Sequence, residues 1–425
     1  MIIFDPLYGK FELSDIARTL CTLPEVRRLS QVRLLNSITP TLATLSELRR
    51  YAHTLGVLHL FSIWKRTNGR RFPVADVDAL EVAIILHDVA TPPFGHLFEY
   101  VLKETLGWDH ESAAISTLLK DHGPASTAQP IFAGRTPKVL DYVDRLGVNL
   151  EKVKEILSKR HVLSALIFGV VDFDNLDNVW RMSWALGIER TGQSCDAEAF
   201  ASCLDVTSSG ALRLTGDGPL LLRTWAALRR AAYNVLVFDQ ATVASQALLT
   251  YAIKQGLSKN IITPQDWLMN DESLLARLSS DELLKDVIER QYLGQLPHAV
   301  FSVQLRWGVE PFFDMARENI EEHLRRPIEA AIDAPVLIYA FKERGSFEKE
   351  VHFFDERDKS HTFGSTSRSL IVSVFSNVNP TSKNTMAAAK ALIDALGYYG
   401  IGHDSFVFSI NNDGKPNSDT IQLDF

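Results

Sequence analysis

The feature that most constrains this chain is an apolar segment that ends in a histidine and an aspartate. Residues 74–86 have the apolar content of a buried helix, and His87 and Asp88 follow directly, just before Pro92 and Pro93. An imidazole and a carboxylate side by side can both reach one divalent cation. The end of this predicted helix is therefore a candidate metal site.

Two more residues of suitable type lie in other predicted helices. His53 falls within the predicted helix 46–67, and Asp174 lies just before the predicted helix 176–187. A divalent metal held by imidazoles and carboxylates polarises phosphoryl oxygens and activates water, and separate helices can supply its ligands. The alternative is that each residue is ordinary, since a lone histidine in an apolar helix is usually buried and hydrogen-bonded. The chain order nevertheless indicates a metal-dependent phosphohydrolase with candidate ligands His53, His87, Asp88 and Asp174.

Composition narrows the class of protein. The chain has 425 residues, 46% hydrophobic and 23% charged, which is enough for one large domain or two ordinary ones. No apolar stretch reaches the roughly 18 residues of a membrane span, and the N-terminus lacks a signal-peptide pattern. Three cysteines form neither a disulfide framework nor a zinc pair. We predict a soluble, cytoplasmic protein without a membrane partner, and the net charge of −8 disfavours nucleic acid.

The periodicity of apolar residues predicts a mainly α protein with a small α/β unit at its C-terminal end. Helical spacing runs through most of the first 330 residues, with a loop at 123–137, and a two-residue period begins at residue 334. We expect a helical domain at 1–332, in which 193–219 form a small hairpin insertion. We expect residues 333–425 to form the α/β unit, with an oligomerisation or regulatory role.

Several short motifs extend the pattern around the candidate ligands. They lie at 5–9, 25–29, 50–57, 86–88, 93–99, 108–111 and 172–177 with Arg181, and a weaker similarity runs from 229 to about 300. Together they resemble the HD-domain phosphohydrolase superfamily, and within it the deoxynucleoside triphosphate triphosphohydrolases of the sterile-alpha-motif and HD-domain type. The resemblance covers roughly the first two thirds of the chain and implies an HD-type helical core.

The resemblance implies a role for each matching residue. It makes the four candidate residues the ligands of a divalent ion, for which Mn, Mg, Fe, Zn and Ni all remain open. It makes Glu99 and His110 a pair that assists attack or departure of the leaving group, because a carboxylate fixes the tautomer of an imidazole and raises its basicity. His96, three residues before Glu99, lies on the same helix face and lines the phosphate side of the pocket.

The resemblance also implies a substrate-binding group. Arg50 matches an arginine that pairs with substrate phosphate, the alternative being a surface salt bridge. Asp177 and Arg181 share a helix face with Asp174 and would hold it in place, the alternative being a solvated ion pair. Among nearby residues, Tyr233 or Trp225 could stack on a base, and Arg223, Arg229 and Arg230 could contact phosphate, although residues of these types in a helix more often have no such role.

Five positions depart from the family pattern, and all bear on the substrate. Asn175 stands where the family has a phosphate-binding lysine, Asn178 replaces a tyrosine, and Thr91 replaces a histidine. Met182 and Leu34 replace an aspartate and a glutamine that read the sugar 3′-hydroxyl. A site that loses its polar partners for a hydroxyl loses the corresponding selectivity. The metal chemistry is thus preserved in the sequence, whereas the residues that would recognise deoxyribose are changed.

Three functions follow from these residues. The first is hydrolysis of deoxynucleoside triphosphates to nucleoside and triphosphate by metal-activated water. The second is a nucleotide monophosphatase or another phosphoester hydrolase, which would release orthophosphate instead. The third is a nucleotide-sensing protein without enzymatic activity. The resemblance further implies a homo-oligomer with nucleotide activators, and it leaves open whether the role is nucleotide housekeeping or antiviral defence.

Overall fold

The computed structural model describes residues 1–108, 110–113, 115, 139–188, 194–345, 349–366, 368–401 and 406–409. These residues form a mainly helical body and a smaller α/β unit, which confirms the predicted fold class. The predicted loop at 123–137 lies within 116–138, outside the described residues. No helix in the described part of the chain is both long and apolar enough to cross a membrane.

Sixteen described helices precede residue 295 and pack around one large hydrophobic core. In chain order they are α1 (Asp15–Leu20), α2 (Pro24–Arg27), α3 (Ala43–Ser46), α4 (Arg50–Thr67), α5 (Val74–Leu86), α6 (His96–Leu106), α7 (His110–Ala113), α8 (Val139–Arg145), α9 (Leu150–Leu157), α10 (Ala165–Phe168), α11 (Phe173–Ala185), α12 (Ser194–Cys203), α13 (Gly218–Phe238), α14 (Gln240–Ser258), α15 (Asp271–Leu278) and α16 (Glu282–Tyr292). Helix α5 is apolar on all sides and contacts α1, α4 and α9, so its C-terminal end lies deep in the body.

The strands in the described residues form three small sheets. In chain order they are β1 (Ile2–Asp5), β2 (Gly9–Glu12), β3 (Leu204–Val206), β4 (Leu212–Leu214), β5 (His298–Leu305), β6 (Val336–Arg344), β7 (Val351–Phe354), β8 (Ser360–Phe363), β9 (Arg368–Ser376) and β10 (Phe406–Ser409). Strands β1 and β2 are a hairpin, β10-β5-β9-β6 form an antiparallel sheet, and β3-β4-β7-β8 form a mixed sheet. Helices α17 (Glu310–Asp314), α18 (Arg317–Ile332) and α19 (Ser382–Gly397) complete the α/β unit.

The α/β unit has its own core, which begins before the domain boundary predicted at residue 332. Strand β5 and helix α18 contribute Val300 to Ile328 to this second core. A register shift between Ala299 and Phe301 interrupts the two-residue alternation of β5. The sequence pattern therefore does not predict this strand.

The segment predicted as a hairpin insertion at 193–219 contains helix α12 as well as the hairpin β3–β4. That hairpin continues into a sheet with β7 and β8, whose Val351 and Phe353 belong to the core of the helical body. Residues on the C-terminal side of the predicted boundary therefore reach back into the helical body. This return brings the residues beside β7 close to helices α11 and α13.

Helices α4 and α11 pack so closely that one position between them admits only glycine. A Cβ on Gly56 would lie 1.9 Å from Oδ1 of Asp177 and 2.4 Å from Nη2 of Arg181. Both of these side chains are fully buried and hydrogen-bonded to each other. Gly56 thereby allows α11 to present its first turn to α4.

We expect Gly56→Ala to lower the free energy of unfolding by about 1–3 kcal/mol, because an extra methyl group in a packed core forces its neighbours apart. Urea unfolding followed by circular dichroism measures this. Gly397→Ala is the matched control, since nothing lies within 4 Å of its added Cβ. Equal stability of the two variants would contradict the close packing of α4 against α11.

Candidate metal centre and active site

The four predicted metal ligands come together from three helices. His53 lies in the first turns of α4, His87 and Asp88 follow α5, and Asp174 lies in the first turn of α11, which Asp172 caps. The Nε2 atoms of His53 and His87 lie 2.7 and 3.5 Å from Oδ1 of Asp174. Nε2 of His87 lies 4.0 Å from Oδ2 of Asp88. Ligand atoms of His53, His87 and Asp88 are all within 4.8 Å of one another.

The hydrogen bonds of the two histidines direct their Nε2 atoms to the same point. Nδ1 of His53 donates to Oδ2 of Asp177 at 2.6 Å, and Nδ1 of His87 donates to the carbonyl of Ile84 at 2.6 Å. With Nδ1 protonated, a neutral ring keeps the lone pair on Nε2, which is the form that binds a metal. Nε2 of His87 is buried and has no hydrogen-bond partner among the described residues. Two such nitrogens beside two carboxylates fit a divalent cation.

The electrostatics of the cluster match this donor set. Burial opposes charge on His53, but its hydrogen bonds to Asp174 and Asp177 raise its pKa to about 10. Burial likewise opposes charge on Asp174, and the two histidines still hold its pKa below the usual range. Burial together with the charge of Asp174 raises the pKa of Asp172 to about 7. The cluster thus stabilises positive charge at its centre, which a bound cation would supply in place of protons.

Arg50 forms a buried ion pair with one of the candidate ligands. Its Nη1 donates to both carboxylate oxygens of Asp88 at 3.0 Å, and each side chain is only 6% exposed. The hydroxyl of Thr91 donates to Oδ1 of Asp88 at 2.9 Å. The surface salt bridge considered for Arg50 is therefore excluded, and its contact with substrate phosphate stays a prediction.

Asp177 and Arg181 form a buried chain of ion pairs that holds His53. Nε and Nη2 of Arg181 donate to the two oxygens of Asp177 at 2.8 and 2.9 Å, and Nη1 donates to Asp5 at 3.0 Å. Asp5 also accepts the backbone N–H groups of Leu7 and Tyr8, which explains the motif at 5–9. The solvated ion pair is excluded. The prediction that these residues steady Asp174 needs correction, because the carboxylate of Asp177 contacts the ring of His53.

Glu99 lies between two histidines. Its Oε2 accepts from Nδ1 of His96 at 2.7 Å, and its Oε1 accepts from Nδ1 of His110 at 2.8 Å. Burial opposes the charge of Glu99, yet its hydrogen bonds to both histidines hold its pKa below the usual range. Burial opposes charge on His110 too, and the hydrogen bond to Glu99 raises its pKa. His110 can therefore carry a proton beside the metal centre.

A cavity of about 240 Å³ connects these groups. It is lined by Leu34, Leu35, Asn36, Leu45, Arg50, His53, His87, Asp88, His96, His110, Ile167, Phe168, Asp174, Asn178, Met182, Tyr233 and Leu236. Tyr233, predicted to bind substrate, lines it, whereas Asp177 and Arg181, placed in the same group, do not. Three of the five positions that depart from the family pattern, at 34, 178 and 182, face this cavity.

Sequence reasoning missed three residues near the centre. Thr91 was noted only as a departure from the pattern, although its spacing of three from Asp88 is that of a local hydrogen bond. Asp5 lay in a motif without an assigned role. Lys349 lies close enough to Asp174 for that charge to influence its pKa, and no local pattern in the sequence points to it.

The sequence and the fold are similar to those of known proteins. Residues 50–146 match the HD domain family, a range that begins at Arg50 and contains His53, His87, Asp88 and the Glu99–His110 pair. In this range the chain is similar to the HD domain, and it resembles the HD-domain phosphohydrolases.

Two curated relatives are deoxynucleoside triphosphate triphosphohydrolases. SAMHD1 of Gallus gallus is 27% identical over 120 residues, and SAMHD1 of Homo sapiens is 25% identical over 123 residues. The matching segments cover 26% and 27% of this chain, and they span only 19% and 20% of those two proteins.

Two solved structures resemble most of the chain in fold. A phosphohydrolase from Bacteroides thetaiotaomicron has a TM-score of 0.61 at 15% identity, covering 88% of this chain and 99% of that one. A hypothetical protein from Aquifex aeolicus has a TM-score of 0.65 at 15% identity, covering 93% and 99%. At this identity the similarity establishes the fold alone.

We expect Asp177→Asn to weaken Mn²⁺ binding about 10–100-fold, because the carboxylate that orients His53 and raises its basicity is lost. Equilibrium dialysis over a series of Mn²⁺ concentrations, with metal content measured by mass spectrometry, gives the affinity. Glu198→Gln is the matched control. Glu198 forms a 2.6 Å hydrogen bond with His59, which lies in α4 like His53 but is not one of the candidate ligands. An unchanged affinity in folded Asp177→Asn would argue against His53 as a ligand.

Proposed function

We propose that this protein is a metal-dependent nucleotide phosphohydrolase that converts deoxynucleoside triphosphates to nucleoside and triphosphate. The observation that carries the proposal is one cavity that joins the cluster of His53, His87, Asp88 and Asp174 to Arg50 and His110. Such a set would bring a cation, an arginine for phosphate and a proton carrier together within one space. The two curated relatives, named for this reaction, support the choice of substrate.

Each side chain has a task that its contacts support. A divalent metal held by the four ligands would polarise the phosphoryl group and lower the pKa of bound water. Arg50, fixed against Asp88, presents its remaining guanidinium N–H groups to phosphate oxygens. His110 is bound to Glu99 through Nδ1, so its Nε2 is the atom that can deliver a proton to the leaving oxygen.

The lining of the cavity favours a second candidate within the same class of reaction. Its volume of about 240 Å³ is below the roughly 300–1,000 Å³ of pockets that enclose most of a drug-sized ligand. The side chain of Leu34 offers no hydrogen bond to a sugar hydroxyl, and the thioether of Met182 is only a weak acceptor. Both observations suit a smaller substrate, such as a nucleoside monophosphate or another phosphoester.

Product analysis separates these candidates. The protein is incubated with deoxynucleoside triphosphates, ribonucleoside triphosphates and the monophosphates, each with Mn²⁺, Mg²⁺, Fe²⁺, Zn²⁺ or Ni²⁺. We expect nucleoside and triphosphate from the deoxynucleoside triphosphates; orthophosphate from monophosphates alone would select the second candidate. Because Asp88 contacts Arg50 and would also hold the metal, we expect Asp88→Asn to lower the rate by more than about 100-fold, beyond the usual effect of a supporting residue.

Asp286 of α16 is exposed and does not line the cavity, so Asp286→Asn is the control that removes the same charge outside it. Turnover that survives in folded Asp88→Asn at the wild-type rate would exclude this centre as its source. Nucleotide binding without turnover under any metal would replace the proposal by the nucleotide-sensing function.

The pH dependence of the reaction tests the role of His110. The hydrogen bond to Glu99 raises its pKa, so the protonated donor persists to higher pH than an ordinary histidine would allow. The rate should fall as the pH rises through that pKa, and Glu99→Gln should move this fall to lower pH. Rate profiles from pH 5 to 10 measure it, with Glu198→Gln as the control. A fall at the same pH in both variants would remove His110 as the proton donor.

We also infer a homo-oligomer with nucleotide activators, which the resemblance to the family implies. The cytoplasmic location and the choice between housekeeping and antiviral defence stay predictions from the sequence.

A further inference from the structure

A second cavity, of about 450 Å³, is lined by basic residues from two distant parts of the chain. Helix α13 contributes Arg223, Arg229 and Arg230, and Lys349 comes from the residues just before β7. We call this cavity the basic pocket. It shares no lining residue with the cavity of the metal centre, and none of the described residues that line it is acidic.

Arg229 is the strongest sign that the basic pocket holds a ligand. Its side chain is only 4% exposed, and its Nε and Nη1 atoms are buried without a hydrogen-bond partner in the described chain. Its guanidinium lies over the ring of Tyr233 at 4.4 Å and that of Trp225 at 5.6 Å. Aromatic rings stabilise the charge but accept no strong hydrogen bonds. Buried unpaired donors are costly, so an anionic acceptor would complete this site.

Lys349 adds a second positive charge to the same place. Burial and the nearby charge of Arg229 lower the pKa of Lys349, while the carboxylates of Asp172 and Asp174 act in the opposite direction. Lys349 therefore lies between the basic pocket and the first turn of α11. Two cations held together in a partly buried space create a strong attraction for an anion.

The fold itself fixes the position of Lys349. Strand β7 is anchored through Val351 and Phe353 in the core of the helical body and pairs with β4 and β8. Gly364, after β8, has φ +74°, and a Cβ there would lie 2.6 Å from the carbonyl oxygen of Lys349. The two ends of the β7–β8 hairpin thus meet closely only because residue 364 is glycine.

The basic pocket adjoins the metal centre through contacts between residues of the two sites. Tyr233 lines the metal-centre cavity and contacts Arg229 of the basic pocket with its ring. Nε1 of Trp225 donates to the carbonyl of Asn175 at 3.3 Å, directly beside Asp174. Position 175 is where the resembling family carries a phosphate-binding lysine. Lys349, which lies just before β7, thus approaches the region where the family's lysine is replaced by Asn175.

We propose that the basic pocket is a binding site for phosphate or polyphosphate groups, held by Arg229 and Lys349. Guanidinium presents paired N–H donors that match phosphate oxygens, and ammonium adds a compact charge. The phosphates can belong to the nucleotide in the metal-centre cavity or to a separate phosphorylated ligand. Binding itself does not depend on the proposed hydrolysis.

Calorimetric titration of the full chain with inorganic tripolyphosphate, without divalent metal, tests the site. We expect Lys349→Met to weaken binding about 10–100-fold, which corresponds to the loss of one charge-assisted contact of about 1.5–3 kcal/mol. Arg229→Gln should weaken it at least as much. Lys383→Met, on the exposed face of α19, is the matched control. Circular dichroism verifies folding, and if Arg229→Gln fails to fold, the less buried Lys349 carries the test.

The proposal is overturned if the wild-type chain does not bind tripolyphosphate, or if folded Lys349→Met binds it as well as Lys383→Met does. Asp88→Asn should retain binding, because its carboxylate lies in the other cavity; loss of binding there would assign the anion to the metal centre. A second arm uses hydrolysis. Competitive inhibition by tripolyphosphate with a raised KM in Lys349→Met identifies the substrate's own phosphates, and non-competitive inhibition identifies a separate ligand. An inactive enzyme that binds tripolyphosphate would refute only the proposed function.

Discussion

The hydrogen bond between Nδ1 of His53 and Asp177 is the interaction on which the rest of the centre depends. It joins α4 to α11 in a fully buried position and leaves Nε2 of His53 directed toward Asp174. Arg181 satisfies both oxygens of Asp177 and extends the connection to Asp5 in the N-terminal hairpin. A buried carboxylate without these donors would carry a large desolvation penalty, so the three residues are stable only together.

The sequence predicted the parts of the site that short-range patterns encode. Helix α5 has the predicted bounds. Its apolar residues are continuous, and a histidine and two prolines follow its end, so few other boundaries were possible. The convergence of His53, His87, Asp88 and Asp174 was also predicted, since side chains of the right chemistry occurred in the order of a known pattern. The resemblance supplied the pairing of Glu99 with His110, which the distances place within hydrogen-bond range.

Long-range packing decided what the sequence could not. Helix α4 was expected to start at Ser46 but begins at Arg50, because residues 32–34 pair with 48–50 as an irregular bridge and hold that segment extended. The burial of the ion pair between Asp177 and Arg181 depends on a partner 176 positions away in sequence from Arg181. Lys349 reaches α11 only because β7 pairs in parallel with β4. No local pattern in the sequence predicts this pairing.

The ion pair between Arg50 and Asp88 sets the sign of charge that an incoming phosphate would meet. Without a metal, His53 keeps its proton, and the charges of His53 and Arg50 balance those of Asp88 and Asp174. A divalent cation that replaces this proton would leave one positive charge in excess. A phosphate would therefore meet an attractive centre only after the cation has entered, and Arg50 supplies the charge that makes the balance positive.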